Sequence, residues 1–333
     1  MDRLRTITSV VHEVVRTRLK GAIQLVPAWC LWFQAFSLFA AEVRLLDPPR
    51  YDLAATVVFP LAWFAAYYLV KPSEGPAKSL SRALLLVTLS CAMPLVLILV
   101  VLEPVPQPPG VLMLQAESAR LVLTALLAVC CLFGLSKAMF VKFFVVGLLY
   151  GAILENGGIL GGFFSEPGYL LYIPGLPAPI VNVVGWCVGL YMSVYVWQGI
   201  LERFEVRRFR IPVFAAGVTA VAICQDLQID PYATHAEWWI WHESLPPCFL
   251  GVPMLNFLAW IATIFTFAWL YDYIETTPGI NEAGRIGRLL LAIPVALVAS
   301  SIIVLLLTLI FRGPDSPDIE VFKAALSYRR GGL

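Results

Sequence analysis

The run DLQIDPYATHAEWWIWH, residues 226–242, puts acids, imidazoles and indoles into one short stretch between two long apolar runs. Asp226 and Asp230 are four residues apart, which on a helix places them on one face. Two carboxyls held together in a low dielectric do not both ionise readily, so one keeps its proton beside a neighbour able to accept one. That is the equipment of general acid and base catalysis. Trp238, Trp239 and Trp241 follow, and an indole face attracts a desolvated cation by about 2 kcal/mol or more. Acid, base and aromatic wall together suit the protonation of an alkene and the shielding of the carbocation that results. Each residue also has a plainer reading. Asp230 before Pro231 fits a helix cap or Asx turn, and Asp226 fits a structural hydrogen bond to Asn182 or Trp186. The tryptophans fit anchors at a membrane interface. His235 and His242 lie near Glu237 and Glu243, but their spacing matches no compact metal motif. His242 reads better as a hydrogen-bond partner or proton relay, and no metal is expected.

A second stretch has the same order of parts. Glu155 is followed by NGGILGGFFSEPGYLLYI, by Gly-Leu-Pro at 175–177, and by Asn182 and Trp186. In the later stretch, Asp226 and Asp230 are followed by the tryptophan loop, by Gly-Val-Pro at 251–253, and by Asn256 and Trp260. In both, Asn and Trp are spaced i, i+4 and share a helix face. Glu155 precedes Pro177 by 22 residues and Asp230 precedes Pro253 by 23. The pattern predicts an internal repeat, with units at about 138–200 and 211–271 running in the same direction and acids from both converging on one site. Asn182 and Asn256 would orient a water or an acid, or serve as interhelical polar contacts.

The elements positioning these residues follow from composition. The chain has 333 residues, of which 60% are hydrophobic and only 14% charged. Soluble domains carry about 25% charged residues, so the chain reads as an all-α, polytopic membrane bundle. The net charge of +1 gives no reason to expect a nucleic-acid partner. The seven cysteines have no metal-ligand spacing and fall mostly in apolar runs, as small buried hydrophobes do. A span needs about 20 apolar residues. Nine candidates result, at 22–42, 53–70, 83–102, 121–136, 138–155, 179–200, 211–229, 250–271 and 287–311. Only Ser136 and Lys137 separate the fourth from the fifth, and Lys323, Arg329 and Arg330 in the tail keep eight spans with a cytoplasmic tail open as an alternative. A basic amphipathic segment, 1–20, precedes the single transmembrane domain at 21–311, and a tail at 312–333 follows it. Lys and Arg crowd the segments that a cytoplasmic N-terminus would place inside a cell membrane. The loops 156–178 and 231–249 contain neither residue and fall on the opposite side.

The motif D-x-x-x-D-P, then W-x-W, then G-V-P-x-x-N-x-x-x-W resembles that of the integral-membrane carotenoid biosynthesis family. Asp226, Asp230, Pro231, Trp239, Trp241, Gly251, Val252, Pro253, Asn256 and Trp260 carry it. Glu155, Gly168, Tyr169, Tyr172, Gly175, Pro177 and Trp186 are similar to the family's looser first half. The resemblance spans about 138–275. The first loop departs from the compact family form and adds Glu166. The family includes end-group hydratases acting on gamma-carotene and bisanhydrobacterioruberin. The resemblance therefore implies cofactor-independent hydration of a carotenoid ψ end, a hydro-lyase reaction through a tertiary carbocation. Asp226 or Asp230 would be the acid and Glu155 the water-orienting base. Trp238, Trp239, Trp241, Trp186, Trp260, Tyr169 and Tyr172 would flank the cation, with Asn182, Asn256, His235 and His242 as polar support. The expected partners are a hydrophobic polyene, the lipid bilayer and other membrane enzymes of the carotenoid pathway. Two other functions stay open. Cyclisation would use the same protonation with water excluded, and a transporter or carotenoid-binding subunit would use the acids as a proton relay.

Overall fold

The computed structural model describes residues 136–204, 209–235, 237–249 and 251–331, with isolated positions between Leu114 and Leu132. The expected N-terminal segment and the spans at 22–42, 53–70 and 83–102 lie outside the described residues, and that at 121–136 meets them only at isolated positions. The described chain is mostly helical. Helix α1 is Lys137–Leu160. It is followed by α2, Ile180–Phe204, α3, Arg210–His235, α4, Met254–Thr276, α5, Glu282–Arg312, and α6, Pro317–Gly331. Helices α1, α4 and α5 are long and apolar enough to cross a membrane, while α2 and α3 contain shorter apolar stretches, Ile180–Tyr195 and Arg210–Ile223. Local chemistry sets several of the ends. Ser136 Oγ accepts from the Met139 N–H at 3.1 Å where α1 begins. Asn281 Oδ1 accepts from the Gly284 N–H at 2.8 Å where α5 begins, and Gly313, at φ 85°, follows its last residue.

Each expected span from 138 onward coincides with a helix, but two ends differ. Glu155 does not terminate α1, which continues to Leu160. Asp230 does not cap α3, which passes through Pro231 to His235. Proline withholds one N–H from a helix while its fixed φ suits the helical backbone. The helix closes further on, where the Trp238 N–H donates to the Ala233 carbonyl at 2.8 Å and the Glu237 N–H to that of Thr234 at 3.2 Å. This paired closure requires a left-handed residue, and Glu237 supplies it at φ 56°. The C-terminal tail is also more ordered than its polar sequence suggests. It forms α6, which buries Ile319 and Val321 and sets Phe322 5.2 Å from Phe163 in the first loop.

Helices α1 through α5 pack successively, each against the next. Their core holds Phe143, Tyr150, Leu190, Tyr191, Phe214, Ile264 and Phe267. Lipid chains are as apolar as these side chains, so close fit and polar links must hold such a bundle together. Gly151 provides the fit between α1 and α2, because a Cβ there would stand 2.2 Å from Trp186 Cβ. Near the start of α1, a π-helical stretch, Val141–Val146, contains the buried Lys142. Its Nζ lies 2.5 Å from Glu275 on α4 and 2.9 Å from Glu282 on α5.

The two loops without Lys or Arg pair with each other. Strand β1, Phe164–Ser165, lies antiparallel to β2, Ile240–Trp241, with Phe164 opposite Trp241. The His242 N–H donates to the Phe163 carbonyl at 2.9 Å and the Gly168 N–H to that of Trp238 at 3.4 Å. A Cβ on Gly168 would come within 2.8 Å of Trp238 Cα, so the loops meet this closely only at a glycine. Strands β3, Pro247–Phe249, and β4, Val252–Pro253, turn at Gly251, φ 86°, into α4. The paired loops cap the end of the bundle where α3 closes and α4 begins.

Candidate active site

Asp226 and Asp230 lie one turn apart on α3 with relative exposures of 0% and 2%. Asn256, in the first turn of α4, holds both. Its Nδ2 donates to Asp230 Oδ2 at 2.6 Å and stands 3.3 Å from each Asp226 oxygen. The two carboxyls face each other, and since ionised carboxylates offer only acceptors, they bond each other only through a proton between them. The partner of Asp226 is thus the asparagine of its own unit, rather than Asn182 or Trp186 across the site.

The first unit is assembled from α1, its loop and α2. Glu155 is buried on α1, where Trp186 Nε1 donates to its Oε2 at 2.6 Å. Gly151 makes this contact possible: it lies one turn before Glu155 on the same face and lets the Trp186 ring lie against the helix. Asn182, one turn before Trp186, donates to Glu166 Oε1 at 2.6 Å. Glu166 is 4% exposed. Burial, followed by the negative charge of Glu155, pushes its carboxyl up to about 10, so it is neutral at physiological pH. Sequence reasoning registered Glu166 only as a departure from a pattern. The available signal was its position between Glu155 and Asn182, which gives the first unit two acids, as the second has.

The units meet through their tryptophans. Trp186 and Trp260 stack with centroids 4.7 Å apart and planes 14° off parallel. Each ring thus presents one face to the other and has only its outer face for a substrate. Asp230 lies within coulombic reach of Glu155 and Glu166 within reach of Asp230, so the four carboxyls share one field.

The cap supplies the remaining aromatics. Trp238 is buried with its ring 6.2 Å from that of Tyr169. Trp241 meets Phe164 at 5.5 Å and Trp239 at 6.4 Å, and its Nε1 donates to Thr234 Oγ1 at 2.8 Å. The buried Trp239 Nε1 has no acceptor among the described residues. Tyr172 is half-exposed and donates its hydroxyl to the Glu166 backbone carbonyl. Sequence reasoning also missed Glu117, a buried acid whose Oε1 accepts from the Leu170 and Leu171 N–H groups at 3.1 Å each. Nothing in its local sequence points to that loop. His242 does not join the acids: it is exposed, its Nδ1 accepting from the Ser244 N–H at 3.2 Å. His235 closes α3, and its side chain lies outside the described atoms. Among the described residues, no three His, Cys, Asp or Glu side chains gather as a metal cage.

Neither a curated protein nor a solved structure matches the chain. A family model described as carotenoid biosynthesis protein matches residues 116–314, a stretch containing both acid pairs, both loops and the tryptophan stack. That match covers more than half of the 333 residues, and the chain belongs to the carotenoid biosynthesis protein family.

Proposed function

We propose that the chain is a multi-pass membrane enzyme that adds water across the terminal C=C of a carotenoid ψ end. One observation carries this reading: the Asp226/Asp230 pair on Asn256 is joined to Glu155 on Trp186 through the stack of Trp186 on Trp260. In the proposed reaction, the protonated member of the aspartate pair gives H+ to the less substituted alkene carbon. The π electrons form the new C–H bond and leave a tertiary cation. The outer faces of Trp186 and Trp260, with the cap rings Trp238, Trp239, Trp241, Tyr169 and Tyr172, shield it. A water oxygen then bonds to the cationic carbon as one of its O–H bonds breaks, and Glu155 takes that proton. The alkene and water give a tertiary alcohol with no change in oxidation state overall, so the chemistry calls for neither metal nor redox cofactor.

The finer architecture belongs to the same proposal. Eight or nine spans would cross the cell membrane with the N-terminus cytoplasmic, and units 138–200 and 211–271 would be parallel repeats about an axis along the membrane normal. Support comes from the common order of acid, glycine turn, Asn and Trp, and from Gly175 and Gly251 sharing a left-handed conformation at φ 85° and 86°. The bilayer would deliver the polyene, and other membrane enzymes of the pathway would hand it on. The test is expression in a lycopene-producing host with mass analysis of the pigments. A gain of one water per modified end is expected, and Asp226→Asn should abolish it. An unchanged pigment mass with a shifted absorption spectrum would mean cyclisation, whereas unaltered lycopene would remove the enzymatic reading.

A further inference from the structure

Glu166 has no part in the steps above, yet it is held as firmly as any residue in the site. Asn182 binds its Oε1 at 2.6 Å and the Tyr172 hydroxyl binds its backbone carbonyl. Its Oε2 is buried and has no N–H or O–H donor among the described residues. What faces that carboxyl is the carboxyl of Glu155. Two carboxyls attract each other only through a shared proton.

We infer that Glu166 is the hydrogen-sharing partner of Glu155, so that the first unit holds a carboxyl pair on Asn182 equivalent to the aspartate pair on Asn256. The pairs are built alike from different elements. In the second unit Asn256 grips both acids. In the first, Asn182 grips Glu166 while Trp186, one turn on, grips Glu155, so a single helix face fixes the pair. Among the described residues, the titratable groups facing Glu166 are Glu155 from α1, Asp230 from α3 and Tyr172 from its own loop. None is basic, so a proton is the counter-charge that this arrangement provides. Burial and the Glu155 charge hold that proton at neutral pH.

This assignment rests on the hydration reading for its role in turnover. There Glu166 is a positioning residue: its O–H points at Glu155 and holds that carboxylate toward the water it deprotonates. The proton gained by Glu155 replaces the one given by the aspartate pair, and the site resets without a co-reactant.

Infrared spectroscopy of the full-length protein in lipid nanodiscs, in H2O and D2O, tests the pair without relying on turnover. Wild type should show a deuterium-sensitive C=O band of a protonated buried carboxyl, which Glu166→Gln loses and Glu166→Asp restores. Glutamine still accepts from Asn182 and donates to Glu155, so this variant should keep its fold. If it does not fold, Glu155→Gln provides the second reading, because removing the partner must shift the same band. A folded E166Q protein with the full wild-type band, or an E155Q protein with that band unmoved, overturns the assignment. Failure to hydrate lycopene would sink the hydration reading alone, since the band does not depend on it.

Discussion

Trp186 and Trp260 stack face to face, but only Trp186 has its indole N–H on a catalytic candidate, 2.6 Å from Glu155 Oε2. The same substitution in each ring therefore separates hydrogen bonding from packing. Trp186→Phe keeps an aromatic ring on Trp260 and removes the donor. A hydrogen bond to a charged acceptor contributes about 1.5–3 kcal/mol, which is about 10- to 100-fold in rate if the bond matters in the transition state. Trp260→Phe gives up part of a ring contact worth about 0.5–1.5 kcal/mol while the donor to Glu155 stays in place. Initial rates of water addition to lycopene by the purified enzyme in nanodiscs, normalised to folded protein by near-UV circular dichroism, should fall at least about tenfold for W186F and no more than about threefold for W260F. Equal losses in the two variants would mean that the stack acts only as packing. Wild-type turnover in W186F would remove Glu155 from the mechanism.

Four further outcomes follow from the geometry. Gly151→Ala places a Cβ 2.2 Å from Trp186 Cβ, and overpacking of this kind costs about 1–3 kcal/mol; the melting temperature should fall, and turnover should drop at least as far as in W186F. Glu237→Gly relieves a left-handed residue in the closure of α3, and thermal melts should show stabilisation of about 1 kcal/mol. Lys142→Met takes the near cation from Glu275 and leaves it Arg285 at 3.9 Å, a loss below the about 3–5 kcal/mol of a fully broken buried pair that Lys142→Met/Glu275→Gln should partly recover in denaturant titrations. Glu166 binds its proton more tightly folded than unfolded, so its stabilising contribution is complete below the ordinary value of 4.5 and is lost as pH rises toward about 10. Melting temperatures across that window should therefore decline less with pH in Glu166→Gln than in wild type.

What the sequence made legible was periodic. Asn256 and Trp260, like Asn182 and Trp186, share helix faces because i, i+4 spacing leaves little choice, and those faces do hold the acids and each other. Apolar runs located α1 through α5 for the same reason. Ends were harder to read, since proline is ordinarily a stop signal, yet α3 passes Pro231 and closes at Glu237, a residue with no obvious preference for a left-handed turn. Cross-loop partners left no trace at all. Phe164 opposite Trp241 is settled by the bundle bringing two helix ends together, not by anything within either loop. The docking of α6 was hidden likewise, because the apolar groups receiving it, Phe163 and Leu245, lie far away in sequence.

The arrangement of the four acids bears on how one site could both give and take a proton. A single carboxyl pair that has delivered its proton to an alkene becomes more negative, and it then binds the new cation rather than releasing it to water. A second pair beyond the tryptophan stack relieves this constraint, because the base that activates water need not be the group that has just given its proton. In the proposed mechanism Trp186 links the two functions, with its N–H on Glu155 and one face on Trp260, whose helix also carries the Asn256 that holds the aspartates. A displacement of either unit would therefore be felt at the other through one rigid aromatic contact. On this reasoning Asn182→Leu, which removes the donor to Glu166 Oε1, should impair water capture more than alkene protonation. Its products should shift from the hydrated carotenoid toward isomers formed when the cation loses a proton, and product ratios unchanged from wild type would argue that the two pairs do not divide the work.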